Sequence, residues 1–206
     1  MKELKKNTTE VKRFYMIAAI AMSLVVLLTL SDIVAGTMTS GFETVPETAI
    51  GRFEEFESST IMGLYHLDLL NVVINSLSAI GLIGLFLLHK EQRPLMTGFA
   101  ALLFIGGLLI FLSTNTALPM MTLANHYSSS TDAAYRAALT GAGEAMLARG
   151  EHGSPGMFTA MFFMVVAGII ISWQMLKGSI FKSWMAIIGI ISNISLLIYL
   201  VLMAFV

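Results

Sequence analysis

Four polar residues with helical spacing interrupt an otherwise apolar stretch of the sequence. Asp68, Asn71, Asn75 and Ser78 follow one another at intervals of three or four residues, which places them on one face of a helix. An ionisable group at membrane depth is costly, and by default it faces the interior of a bundle or a water-filled cavity. The stripe therefore predicts either an outward-facing pocket for a cation, a proton or a polar head, or amide hydrogen bonds that hold helices together.

Two further ionisable residues belong with this stripe. His66 precedes it near the outer end of the same predicted helix, and Asp32 lies at a similar depth in the preceding apolar segment. Pairing of Asp32 with Asp68, or sharing of a proton between them, is expected if the two faces meet. The predicted ligand-binding residues are Asp32, His66, Asp68, Asn71 and Asn75.

The residue types exclude most cofactor and catalytic chemistry. The chain has no cysteine, so thiolate catalysis, iron–sulfur clusters and thiolate zinc sites are excluded. Histidine with carboxylate suits zinc or copper, and His66, His126 and His152 are the alternative metal set, but none of them has the short spacing of a metal motif. His89, at the opposite end, is expected to be a solvated interface residue. We expect no resident metal and no cofactor.

No motif of the sequence indicates an enzyme. It has no recognisable Gly-rich phosphate loop or Ser–His–Asp order, and every lysine lies in a tail or a turn, which leaves none for a buried Schiff base. The net charge of -1 argues against a nucleic-acid partner. We therefore expect a non-enzymatic protein that is embedded in the lipid bilayer. A homo-oligomer is one of the assemblies that we consider.

The elements that would position these residues are membrane spans. The chain is 56% hydrophobic and 12% charged, whereas a soluble domain is about 25% charged. The first span is longer than the apolar part of a signal peptide, so we expect a retained signal anchor. The composition predicts one all-α membrane domain over residues 1–206, a bundle of five transmembrane helices. Five stretches provide the roughly 20 apolar residues that a span requires: about 14–36, 62–88, 95–115, 157–176 and 180–206.

Basic residues predict the orientation of these spans. Arg52, Arg136 and Arg149 fall on one side of the predicted membrane. Because cytoplasmic segments carry the excess of Lys and Arg, we expect a cytoplasmic N-terminus and an outer C-terminus. The other nine basic residues fall on the cytoplasmic side: Lys2, Lys5, Lys6, Lys12, Arg13, Lys90, Arg93, Lys177 and Lys182.

A helix is also predicted outside the membrane, over about 131–149. Tyr135, Leu139, Ala142 and Met146 recur at helical intervals, which indicates an amphipathic stripe. The helix would lie as a lid on the outer ends of the spans, with a role in recognition or gating as the alternative.

The sequence resembles a family of small bacterial multi-spanning membrane proteins that is catalogued as a domain of unknown function, the 4386 family. The resemblance rests on the runs 113–127, 133–139, 143–147, 174–181 and 186–190. It implies the multi-spanning topology and a bacterial plasma membrane. It implies no activity and no site residues.

The function expected from these patterns is the binding of a lipid or small amphipathic ligand in an outward-opening pocket. A small transporter or channel is the first alternative, and the break expected in the helix between Asn115 and Pro119 would favour it. An accessory subunit of a larger membrane complex is the second alternative, which a lipid-facing patch of small residues would favour.

Overall fold

The computed structural model describes residues 2–39, 45–90, 93–151, 153–178 and 180–205. These residues form nine helices and no strand, which confirms the all-α fold class. The helices are α1 (Lys2–Thr39), α2 (Ala49–Ser58), α3 (Thr60–His66), α4 (Leu69–His89), α5 (Pro94–Thr114), α6 (Ala117–Ser129), α7 (Ala133–Gly150), α8 (Pro155–Lys177) and α9 (Ser183–Phe205).

Five of these helices, α1, α4, α5, α8 and α9, are long and apolar enough to cross a membrane. Their outward faces carry large aliphatic side chains such as Leu27, Leu102 and Ile191, which are 60%, 72% and 58% exposed. Faces of this kind along whole helices suit hydrocarbon rather than water. The chain is therefore an integral membrane protein.

The spans pack side by side in the order α1, α4, α5, α8 and α9. Small residues make these contacts close. A Cβ atom at Gly107 on α5 would lie 2.6 Å from the backbone oxygen of Ala160 on α8, and one at Gly81 on α4 would collide with Met22 on α1. Glycine thus allows the helix axes to approach where any side chain would separate them.

The remaining helices α2, α3, α6 and α7 form one layer, here called the cap, at the end of the bundle away from Lys2. The cap has its own apolar core, in which Phe53 and Phe56 of α2 pack with Met120 and Ala124 of α6. The carboxylate of Glu144 on α7 accepts a hydrogen bond from the backbone N–H of Ala49 (2.8 Å) and so holds the start of α2.

The cap is larger than the sequence predicts. The predicted outer helix over 131–149 is α7, but α2 and α6 were not predicted, and α3 was predicted as the beginning of the second span. The buried side of α7 is also different: Leu139 and Gly143 are buried, whereas Tyr135 and Ala142 of the predicted stripe are exposed. Gly143 is buried because it contacts α2, where a Cβ would meet Ala49 and Phe53.

The second span begins later than the sequence predicts. Instead of one helix over about 62–88, α3 ends at His66 and α4 begins at Leu69. Asp68 between them has φ 63° and ψ 24°, in the left-handed region, which interrupts the helical hydrogen bonds. Asp68, predicted about two turns inside the span, is therefore the residue that precedes it.

The other predicted spans differ from the helices mainly at their ends. The first helix extends from Lys2 to Thr39, beyond the predicted 14–36, because its polar N-terminal turns continue the same helix. Predicted 95–115 corresponds to α5 and predicted 157–176 to α8, within two residues at each end. The span predicted over 180–206 corresponds to α9, which begins at Ser183, and residue 206 lies outside the described part of the chain.

Candidate functional site

The turn at Asp68 joins the cap to the membrane bundle. The backbone N–H of Asp68 donates to the carbonyl oxygen of Tyr65 (3.1 Å), and its own carbonyl oxygen accepts from the N–H of Val72 (3.2 Å). Among the described residues, Asp68 is the only non-glycine residue with a positive φ. Aspartate tolerates this conformation better than most residues, and such backbone outliers concentrate at functional sites.

A second interruption lies directly beside this turn. Helix α5 ends at Thr114, and the chain passes through extended Asn115 before α6 begins at Ala117. The side-chain amide of Asn115 donates to the carbonyl oxygen of Leu67 (2.9 Å), which the break leaves without its helical partner. The interruption predicted in the Asn115–Pro119 region is thus present. Through the amide of Asn115 it stabilises the interruption at Asp68, which was not predicted.

On the membrane side of the turn, four spans line a partly open cavity of about 230 Å³, here called the groove. Its polar part is formed by α4 and α9. Its apolar part is formed largely by α5 and α8, so the cavity is amphipathic. The lining residues are Asp68, Asn71, Asn75, Phe104, Phe111, Met161, Met164, Val165, Asn193 and Leu196.

The amides of α4 form their hydrogen bonds within that helix. Asn71 Nδ2 donates to Oδ1 of Asp68 (3.0 Å), and Asn75 Nδ2 donates to the carbonyl oxygen of Asn71 (2.9 Å). Asn193 of α9 also donates within its own helix, from Nδ2 to the carbonyl oxygen of Gly189 (2.7 Å), and its amide lies against Gly168 of α8, where a Cβ would collide with it. The first two amides therefore line the groove without bridging helices, whereas the third serves helix packing as well.

On the cap side of the turn lies a larger cavity of about 900 Å³, here called the cap cavity, between the cap and the ends of the spans. Its walls come from the residues before α2, from α2 and α3, from both helix interruptions and from the ends of α7, α8 and α9. The charged or titratable side chains that line it are Glu47, Arg52, His66, Asp68 and Glu151. Asp68 lines both this cavity and the groove.

A buried ion pair fixes one wall of the cap cavity. Arg52 Nη1 lies 3.0 Å from Oε2 of Glu55, and His66 Nδ1 lies 2.5 Å from Oε1 of the same carboxylate. The three side chains are only 7–10% exposed. Buried charges need such partners, so Glu55 ties α2 to α3. This contact gives His66 a carboxylate partner that sequence spacing did not reveal.

Tyr65 connects α3 to Asp32, the residue predicted to pair with Asp68. The Tyr65 hydroxyl donates to the backbone carbonyl oxygen of Asp32 (3.2 Å). Burial raises the pKa of Tyr65 above its usual 10.0, and the neighbouring Asp32 and then Asp68 raise it further. The groove thus brings together Asp68, Asn71 and Asn75, while Asp32 lines neither cavity.

The alternative metal set is not assembled in the described part of the chain. His66 bonds Glu55, His126 is exposed on α6, and His152 lies outside the described residues. Within the described residues no three His, Cys, Asp or Glu side chains are grouped as metal ligands would be.

His89 differs from its prediction as a solvated residue. It is 2% exposed, and its ring stacks on Phe181 at 6.0 Å. Its Nδ1 lies 2.9 Å from the carbonyl oxygen of Leu85. The turn after α8 covers it, because a Cβ at Gly178 would lie 3.4 Å from its Nε2.

Sequence reasoning missed two parts of the site. Arg52 and Glu55 fell in a connection without predicted structure, although their i, i+3 spacing is that of a helical ion pair. Asn193, which lines the groove, was not among the predicted ligand-binding residues. No protein-family model, curated protein or solved structure matches the chain.

Proposed function

We propose that the protein binds a lipid or small amphipathic molecule without transforming it. The observation that carries this proposal is the position of Asp68, which lines both the cap cavity and the groove. A ligand at this residue has a charged cavity of about 900 Å³ on one side and a largely apolar one of about 230 Å³ on the other. One end of the ligand is then polar and the other apolar.

The lining of the groove supports this assignment. Ligand sites are mostly apolar, with a few polar groups that fix orientation. Here Phe104 and Met161 belong to the apolar part, and Asp68 and Asn75 to the polar part. Methionine adapts to irregular apolar shapes, which suits an alkyl chain.

The membrane in question is proposed to be a bacterial plasma membrane, as the family resemblance implies, with the cap outside. The charge distribution supports the orientation, because Lys90, Arg93, Lys177 and Lys182 lie at the ends of the spans opposite the cap. The chain contains no cysteine, so single cysteines at positions such as Lys90 and Ser128 can be labelled in intact cells. A membrane-impermeant reagent that modifies the position 90 variant and not the position 128 variant would overturn this orientation.

Native mass spectrometry of the gently extracted protein tests the binding function. We expect a discrete bound mass in the wild type that Asp68→Asn loses, because the carboxylate is removed while asparagine still tolerates the left-handed conformation. Asp32→Asn is the matched control, since it makes the same change at a carboxylate that lines neither cavity. A bound mass that persists in Asp68→Asn, or its absence from the wild type, would contradict the proposal.

Transport is the second candidate, and the two adjoining helix interruptions favour it. Discontinuous helices form the substrate sites of many transporters near the middle of the bilayer. Here, however, α4 and α5 each keep 21 residues beyond their interruptions, which is enough to span a membrane. The interruptions therefore lie at the membrane surface, which suits a binding site better than a transport path. Dissipation of an ion or solute gradient by the reconstituted wild type, abolished in Asp68→Asn, would establish transport instead.

The role of accessory subunit has less support. A subunit of this kind is expected to have a lipid-facing patch of small residues. The exposed faces of α1 and α9 instead carry large side chains such as Ile20, Leu27, Ile191 and Leu202. Such faces suit lipid chains without a protein partner.

A further inference from the structure

One wall of the groove continues into the lipid-facing surface of α9. Leu196 lines the groove and is 39% exposed. Ser192 and Tyr199, one helical turn before and after it on the same face, are exposed as well. Because α9 is a membrane span, exposed side chains in its middle face hydrocarbon rather than water. The groove is therefore continuous with the surface that the bilayer covers.

The opening of the groove lies between α4 and α9. Both helices line the groove, but they are not neighbours in the row of spans, in which α5 and α8 lie between them. Further from the cap, Leu82 of α4 is buried together with Ala100 of α5 and Ala167 of α8. This packing closes the deep end of the groove, so the side between α4 and α9 is where a lipid can enter.

The groove has the depth of one lipid leaflet. Phe111 and Phe104 on its floor lie three and ten residues before the end of α5, which is about 5 and 15 Å at the rise of an α-helix. Met164 lies nine residues after the start of α8, which is about 14 Å. The hydrocarbon core of a bilayer is about 30 Å thick, so one leaflet occupies about 15 Å. The groove thus runs from the cap-side surface to about the middle of the bilayer.

The width of the groove suits an alkyl chain and excludes a helix. Its 230 Å³ extend over the roughly 10 Å between Phe111 and Phe104, which gives a mean cross-section of about 20 Å². Nonbonded carbon atoms approach to about 4 Å, so an extended alkyl chain is about 4–5 Å across and fills roughly 13–20 Å². A helix with side chains is about 10 Å across and needs roughly 80 Å². A membrane helix of another protein therefore does not fit, whereas one acyl chain does.

The same face of α9 leads from the groove to the cap cavity. Met203 lines the cap cavity, is exposed, and follows Leu196 by seven residues, which places both on one helical face. On the opposite side, Asp68 lines both cavities. A molecule that lies along this face of α9 thus has its deep end among apolar side chains and its cap-side end in the larger, more polar cavity.

Building on the proposed function, we propose that the ligand is a diacyl glycerolipid of the cap-side leaflet, which enters from the bilayer between α4 and α9 and places one acyl chain in the groove. Because the groove is open to the bilayer, the second acyl chain remains among the surrounding lipids. The head group then lies at the cap cavity. This route differs from that of a water-soluble amphiphile, which would enter through the cap cavity.

Photolabelling of the full-length protein in vesicles of phosphatidylethanolamine and phosphatidylglycerol tests this proposal. A fraction of the phosphatidylglycerol carries a diazirine in one acyl chain, and mass spectrometry of peptides locates the adducts after irradiation. We expect an adduct on Met164, which is only 9% exposed and which lines the groove. Exposed Leu27 of α1 provides the reference for lipids that merely surround the protein. A diazirine near the ester should label Phe111, and one near the terminal methyl group should label Phe104 and Met164.

Two tryptophan variants of α9 locate the entry. Leu196→Trp narrows the groove at its opening, whereas Ile194→Trp makes a matched change at a residue that is 43% exposed and does not line the groove. Leu196→Trp should lower the Met164 adduct relative to the Leu27 adduct by about fivefold or more, which is the effect of an overpacking cost of about 1 kcal/mol. Ile194→Trp should leave the ratio unchanged. Circular dichroism of both variants checks that the helices are retained.

The contrary outcomes separate this inference from the function on which it rests. Wild-type adducts confined to exposed side chains such as Leu27, or a Met164 adduct that folded Leu196→Trp leaves unchanged, would overturn lipid entry between α4 and α9. A bound mass in native mass spectrometry that Asp68→Asn loses and that is no diacyl lipid, without any adduct in the groove, would overturn the lipid and keep the binding function. Absence of both the bound mass and the groove adduct would overturn both.

Discussion

Replacing Gly107 by alanine tests the contact between α5 and α8 that underlies the groove. A Cβ there would lie 2.6 Å from the backbone oxygen of Ala160. Because Ala160 is fully buried and this oxygen belongs to the helix backbone, no side-chain rotation relieves the overlap, and the helices must move apart. Gly106 is the matched control, since the nearest atom to its Cβ would be Phe163 Cδ2 at 4.0 Å.

The magnitude follows from comparing the two variants. Each replaces a helical glycine by alanine, so each gains about the same helix propensity, roughly 1 kcal/mol. The difference between them is then the overpacking cost alone, about 1–3 kcal/mol. In a chain of this size about 2–4 °C of melting temperature corresponds to 1 kcal/mol, which places Gly107→Ala about 2–12 °C below Gly106→Ala.

Thermal unfolding of both variants in the same detergent measures this difference. Circular dichroism follows loss of helix, and size-exclusion chromatography after heating follows loss of the monodisperse protein. Equal melting temperatures would refute the close approach of α5 to the α8 backbone, and with it the shape of the groove.

Two further predictions concern the cap. Glu144→Ala removes the acceptor for the N–H of Ala49 and should destabilise the cap by about 1–3 kcal/mol, measured as faster limited proteolysis at α2. Glu144→Gln keeps an acceptor, so the cap should lose less stability in that variant. Equal proteolysis rates in the wild type and both variants would contradict the contact. The second prediction concerns alkaline pH. Because the pKa of Tyr65 is raised above 10.0 by burial and then by Asp32 and Asp68, its stabilising contribution is complete below pH 10 and is lost as the pH rises through the folded pKa. Tyr65→Phe should therefore show a shallower alkaline loss of melting temperature than the wild type, and identical pH profiles would exclude this origin.

Hydropathy was sufficient for the spans but not for the cap. Lipid requires about 20 apolar residues in every membrane helix, and this signal persists in a single sequence. Helices α2 and α3 have only 10 and 7 residues, too few to establish a period. The sequence contained two signals of α2: Thr48, which caps the helix, and the pair Phe53 and Phe56. The glutamates between the two phenylalanines, however, gave the segment the composition of an acidic connection.

The helix interruption at Asp68 was beyond sequence reasoning for a different reason. A single residue in the left-handed conformation changes neither hydropathy nor the spacing of its neighbours. The group that stabilises the interruption, the amide of Asn115, lies 48 positions further along the chain. Asp68, Asn71 and Asn75 nevertheless line one cavity as the spacing predicted, because the break falls at the first member of the stripe.

The hydrogen bonds of the stripe bear on the two interpretations that the sequence left open, a ligand pocket and helix packing. Amides that hold helices together by hydrogen bonds would bond across an interface. Asn193 does not, because its Nδ2 donates to the carbonyl oxygen of Gly189 in α9 (2.7 Å), although its amide packs against Gly168 of α8. Asn71 and Asn75 likewise bond within or at the start of α4, so the free-energy cost of placing their N–H groups in the membrane is reduced without a bond to another helix. Because Asp68, Asn71 and Asn75 also line one cavity, the arrangement is compatible with the ligand site that we propose.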